Sequence, residues 1–156
     1  MVNTLFLPEL REMLAEEDHG GLSEFSTALH PVRLAEYMEG LTADEVWSVL
    51  KHADVHTRVE IFTYLDHDRQ VEVLETQDQA AIAALIAELA PDDRVDMLSG
   101  VEDRIVQELL ARVPVDERRD ILRLSAYPEE TAGAVMTTEV ARFSETLTAQ
   151  EALDQL

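Results

Sequence analysis

The sequence predicts an all-α fold, a solenoid of short antiparallel helices with a twelve-residue repeat. Two observations predict it: apolar pairs recur every twelve residues, and residues that start helices recur with the same period. A third is composition. Hydrophobic residues make up 46% of the 156 positions, regularly spaced, which argues against disorder despite a formal charge of -21.

At the N-terminal end, Pro8 to Glu17 reads as an amphipathic helix with Leu10, Met13 and Leu14 inward, ended by Gly20-Gly21. Leu22 to Leu29 reads as a further short helix whose face is Leu22, Phe25 and Leu29. Eight repeat units then run from about His30 to Ser125. Their apolar pairs are Tyr37-Met38, Val49-Leu50, Ile61-Phe62, Val73-Leu74, Leu85-Ile86, Met97-Leu98, Leu109-Leu110 and Ile121-Leu122. Three or four residues before the second member of most pairs stands another apolar residue, Leu34, Val46, Val59, Val71, Ile82, Val95 or Val106, which continues one helical face.

The punctuation keeps the same period. Thr42, Asp54, Asp66 and Asp78 are N-cap residues at unit starts, and Thr42 with Glu45 makes a capping box. Pro31, Pro91 and Pro114 also fall at unit starts, where a missing N–H costs nothing. Gly40 and Gly100 fall near unit ends, as helix stops do. Helices of two turns are unstable alone in water, so they must stack. Tight turns between them suggest hairpins of consecutive helices. After Ser125 the pattern changes. Tyr127-Pro128 stops the helix, Val140-Ala141-Arg142-Phe143 suits a short strand, and Thr148 with Glu151 opens another helix. One strand and part of a helix cannot bury a core, so this tail reads as the start of another domain. Residues from about Ala134 to Leu156 are expected to pack poorly on their own monomer or to dock on another copy.

Composition excludes several functions. There is no cysteine, so disulfides and thiolate zinc sites are absent. No apolar run approaches the roughly 20 residues that span a bilayer, and the N-terminus lacks the pattern of a signal peptide. The chain is therefore expected to be soluble. Thirty-three Asp and Glu against twelve Lys and Arg repel nucleic acid and attract cations or basic partners. No nucleophile elbow, phosphate-binding glycine loop or HExxH zinc motif is present, so no enzyme is predicted. His52 and His56 have zinc-like spacing, but the cap at Asp54 assigns them to different helices. Trp47 sits on the apolar face as core.

Acidic residues form a column at one position of the repeat: Glu36, Glu60, Glu72, Asp96, Glu108 and Asp120, interrupted by Ser48 and Ala84. Most of it reads as a solvated polar face. Asp92 and Asp96 form an i,i+4 like-charge pair, mildly destabilising on a bare helix. A hard divalent cation would relieve that repulsion. The helix dipole accounts well for acids at Asp92 and Asp93 and less well for Asp96.

The run Tyr127-Pro128-Glu129-Glu130-Thr131-Ala132-Gly133-Ala134-Val135-Met136-Thr137-Thr138-Glu139 resembles the junction of MgtE-type magnesium transporters, where the helical N domain meets the first CBS domain. The Leu29-His30-Pro31 opening and the Ala90-Pro91-Asp92-Asp93 turn are similar to that family too. The chain departs from the pattern at Ala134, where glycine is usual, and its tail is too short for a working CBS domain.

The resemblance implies a right-handed superhelix over residues 1–126 and a junction with a truncated CBS start over 127–156. It also implies a cytosolic regulatory domain that senses Mg²⁺ and favours pore closure when intracellular Mg²⁺ is high. Its partners would be Mg²⁺ and the CBS and transmembrane domains of its own chain, in a homodimer at the cytoplasmic face of the membrane. The implied Mg²⁺ ligands are Glu60, Asp92 and Asp96, with the Ala134 carbonyl, in a site that is weak in this chain alone. Two other readings stay open: an acidic helical-repeat scaffold with no metal role, like the flagellar rotor switch protein, and a regulatory piece whose CBS portion binds an adenine nucleotide.

Overall fold

The structure, a computed structural model, describes residues 6–128, 131–138, 141 and 143–155. Among the described residues it is all-helical, with eleven α-helices and no strand. Helices α1 (Leu7–Ala15) and α2 (His19–Ala28) precede eight helices that begin at Pro31, Ala43, Val55, His67, Gln79, Pro91, Asp103 and Val115, each twelve residues after the last. These are α3 (Pro31–Met38), α4 (Ala43–Leu50), α5 (Val55–Thr63), α6 (His67–Thr76), α7 (Gln79–Glu88), α8 (Pro91–Leu98), α9 (Asp103–Leu110) and α10 (Val115–Leu124). The short α11 (Ala149–Leu153) closes the described chain.

Side chains at the helix starts explain the boundaries. The Thr42 hydroxyl accepts from the Glu45 N–H at 3.2 Å, and the Glu45 carboxylate accepts from the Thr42 N–H at 2.8 Å. That backbone bond is the main reason the Glu45 carboxyl sits below the usual carboxylate range. Asp54, Asp66 and Asp78 each accept an N–H of the first turn at 3.0–3.1 Å. Thr148 and Glu151 repeat the box at α11.

A second set of bonds, at the other helix ends, also follows the period. Arg58 Nε donates to the Leu50 carbonyl at 2.9 Å, Gln70 Nε2 to Phe62 at 2.9 Å, Arg94 Nε to Ile86 at 3.0 Å, and Arg118 to Leu110 at 3.4 Å. Each reaches back eight residues to the C-terminal end of the preceding helix, where carbonyls lack intrahelical partners and the dipole favours positive charge. Leu34, Val46, Ile82 and Val106 hold the same helix position in the other units and point an apolar group inward. Where Arg58, Gln70 and Arg94 occupy it, Val59, Val71 and Val95 take over the apolar contact and are half-buried.

The core is the set of apolar pairs. Val49, Leu50, Ile61, Phe62, Val73, Leu74, Leu85, Ile86, Met97 and Leu98 are all buried, and Trp47 is 1% exposed. Each helix packs most extensively on its next-but-one neighbour: α3, α5, α7 and α9 form one row, and α4, α6, α8 and α10 the other. The expected pairing of consecutive helices as hairpins gives way to this arrangement. Helices α1 and α2 pack on each other and on α4.

Several expectations need correction. Gly20 and Gly21 lie inside the first turn of α2, because the Asp18 side chain caps Gly21 N–H at 3.0 Å. The chain breaks earlier, at Glu17, the one non-glycine residue with positive φ (55°) among those described. There the Asp18 N–H bonds the Met13 carbonyl at 2.9 Å and the Glu17 N–H the Leu14 carbonyl at 3.4 Å, a Schellman closure of α1. Leu29 ends α2 in extended conformation and is 44% exposed, and Ser26 is buried on that face instead. Pro114 is the N-cap of α10 rather than its first residue. Gly40 and Gly100 have negative φ. They serve close packing: a Cβ would stand 2.7 Å from the Leu7 side chain at Gly40 and 2.7 Å from His67 Nε2 at Gly100. Leu122 is 58% exposed, because α10 is the last helix of its row among the described residues. The strand expected at 140–143 falls partly on Val140 and Arg142, which lie outside the described residues; Ala141 and Phe143 carry no strand.

Candidate functional site

The acidic residues of interest lie on α8 and α5. Ala90 offers no side-chain cap to α8, and Pro91 begins the helix and is buried. Asp92 and Asp93 follow in the first turn, where free N–H groups favour negative charge. Asp96 stands a turn further along and is exposed. None of the three carboxylates makes a hydrogen bond or ion pair with a described residue. The cation nearest in sequence, Arg94, is buried and directs its guanidinium to the Ile86 and Ala87 carbonyls, at 3.0 and 2.7 Å. The negative charge on α8 is thus left without a counter-charge. Burial, and then the charges of Asp92 and Asp96, raise the Asp93 carboxyl above the usual carboxylate range.

Asp96 also lines a groove of about 700 Å³ at the C-terminal end of the helix rows. Ala134 lines the same groove, with His67 and Asp103 among its polar neighbours and Leu98, Val101 and Leu122 among its apolar ones. The tail is tied to α10 beside it by Thr138, whose hydroxyl donates to Asp120 at 2.9 Å. Of the residues the resemblance implies as ligands, the structure therefore brings Asp92 near Asp96, and Asp96 and Ala134 to one groove.

Glu60 is not brought to them. It lies on α5, in the other row of helices, half-exposed, with His56 Nε2 3.6 Å from its carboxylate. Among the described residues, no three His, Asp or Glu side chains are grouped so as to hold a metal ion. Any cation bound here would keep several waters or take further ligands from elsewhere, as Mg²⁺ does readily.

Sequence reasoning passed over Arg94, whose commitment to α7 leaves the acids unbalanced. The signal was present: Arg58, Gln70, Arg94 and Arg118 recur at multiples of twelve residues on a position otherwise apolar.

Fold and site together define an all-helical acidic domain with an uncompensated carboxylate cluster beside an open groove. The profile of the MgtE intracellular N domain family matches residues 29–130, and the chain belongs to that family, which is not an enzyme family. The fold is similar to that in a crystal structure of the soluble part of a magnesium transporter. The TM-score is 0.74 and the identity 24%, over 85% of this chain and 52% of that one, so this chain spans about half the length of the solved one. No curated protein matches the sequence. No described helix is long and apolar enough to cross a membrane.

Proposed function

We propose that the chain is the cytosolic Mg²⁺-sensing domain of a magnesium channel or transporter, and that it favours pore closure when intracellular Mg²⁺ is high. The observation that carries the reading is the Asp92, Asp93 and Asp96 cluster, three carboxylates with no cationic partner among the described residues. Family membership supports the setting, a domain at the cytoplasmic face of a membrane protein.

In this reading residues 1–126 form a right-handed superhelix built on the twelve-residue spacing of helix starts. Residues 127–156 join it to a CBS domain whose beginning they are. Glu60, Asp92, Asp96 and the Ala134 carbonyl are one half of a set of Mg²⁺ positions, and the CBS domain supplies the other half. At low Mg²⁺ the acidic domains repel and separate. At high Mg²⁺ hydrated ions bridge carboxylates from both and hold them together, in a homodimer whose pore is then biased shut. The ion acts by population shift, binding the closed arrangement more tightly than the open one. The separate rows of Glu60 and Asp96 are compatible with this, since each position needs only one or two carboxylates from this chain.

The isolated chain should bind Mg²⁺ weakly and in part non-specifically. Amide NMR during a Mg²⁺ titration reads this out. Shifts concentrated at residues 92–96 and around Glu60, beyond those of a KCl titration at equal ionic strength, are expected. Shifts spread evenly over all acidic surfaces would favour a helical-repeat scaffold with no metal role.

A further inference from the structure

We infer that His19 and His52 form a second cation site, one for a divalent transition metal of the zinc class, separate from the carboxylates of α8. His19 opens α2 and His52 follows α4, and the packing of α2 on α4 joins them across 33 residues of sequence. His19 Nδ1 lies 2.9 Å from His52 Nε2, with the ring centroids 5.0 Å apart and the ring planes within 21° of each other, so the rings meet edge to edge.

The tautomer of His52 follows from its other nitrogen. His52 Nδ1 lies 2.8 Å from the Ser48 carbonyl oxygen, which can only accept, so Nδ1 carries the proton. Nε2 is then a lone pair aimed at His19. A ring anchored through its far N–H to a backbone carbonyl is how proteins orient metal-ligating histidines. With both rings neutral, His19 Nδ1 donates to that lone pair; a metal ion takes the place of this proton, which moves to His19 Nε2. Zinc–nitrogen bonds of about 2.0–2.1 Å at a tetrahedral angle require the two nitrogens to stand about 3.3 Å apart. The nitrogens need to part by only a few tenths of an ångström, and each ring to tilt by roughly 35° so that both lone pairs meet at the ion.

Glu17 is the third donor. It lines the same cavity of about 420 Å³ as His19, His52, Asp44 and Glu45. Glu45 is committed to Thr42 and Arg11, and Asp44 accepts from Gln77 at 2.6 Å. The Glu17 carboxylate makes no hydrogen bond or ion pair with a described residue, and its left-handed φ of 55° sets the turn that leads into His19. No three such groups already stand together among the described residues, so Glu17 swings in when the ion binds, and water completes the shell. Two imidazoles select zinc, nickel or copper over Mg²⁺, which prefers oxygen.

Calorimetry on tag-free protein with ZnCl₂, and separately MgCl₂, tests this. One zinc per chain is expected, bound at least tenfold more tightly than Mg²⁺. His19→Ala and His52→Ala should each weaken it tenfold or more, Glu17→Gln should weaken it less, and the Glu60, Asp92, Asp96 triple alanine variant should leave it unchanged. Should a histidine variant fold poorly, the visible spectrum of Co²⁺ on the parent protein decides: an intense four-coordinate band supports the site. A spectrum like aqueous Co²⁺, or zinc affinity unchanged in both histidine variants, would overturn it and leave a proton-bridged pair only.

Discussion

Glu17 and Asp93 are the two residues whose local chemistry runs against their neighbours. Glu17 holds a left-handed φ at the position where Schellman closures usually carry glycine. An L residue loses about 1–2 kcal/mol in that conformation, and glycine loses part of the gain to its more flexible unfolded chain. Glu17→Gly is therefore expected to stabilise the fold by about 0.5–1 kcal/mol, measured by urea unfolding without metal. Asp93 is held above the usual carboxylate range by burial and by Asp92 and Asp96. The folded state thus binds its proton more tightly than the unfolded chain does. Its contribution to stability is full below the ordinary carboxylate value and is lost as pH rises through the raised one. Asp93→Asn should stabilise the domain by about 0.5 kcal/mol at neutral pH, the scale of a like-charge pair on a helix. The gain should vanish in acid; a gain independent of pH would place the cause elsewhere.

At the scale of elements, the helix starts were legible because two independent signals, the caps and the apolar pairs, share one period. What escaped reading depended on neighbours distant in sequence. Gly20-Gly21 looked like a helix stop, yet Asp18 caps the helix across them. Leu122 looked like core, yet its row ends at α10. The carboxylates of α8 were readable as a like-charge pair, but not the orientation of Arg94 that leaves them unbalanced, since that depends on where the end of α7 lies. Arg94→Ala should cost about 2–4 kcal/mol by chemical denaturation, through two lost charge-assisted bonds and an Ala87 carbonyl left without its partner, while the Ile86 carbonyl keeps the Leu89 N–H at 3.2 Å. Arg118, with a longer bond at 3.4 Å, should cost clearly less. The tail behaves differently. No residue of α11 is buried, and Val135 and Leu153 are 69% and 63% exposed. Amides of residues 143–155 should exchange with solvent much faster than those of α4 to α7; strong protection in a proven monomer would contradict this.

At the scale of the molecule, the acids of interest are divided between two rows of short helices, and no cation position is complete among the described residues. In the proposed mechanism a divalent ion bridges this surface to another domain. The proposed sensing mechanism rests on that geometry and on the family to which the chain belongs. The most direct measurement is protease protection of this chain joined to the CBS and transmembrane domains proposed for it, followed across a Mg²⁺ titration in parent and in the Glu60, Asp92, Asp96 triple alanine variant. The account predicts that Mg²⁺ protects the parent and that the variant needs substantially more Mg²⁺ for the same protection. Identical protection curves for the two proteins would contradict it.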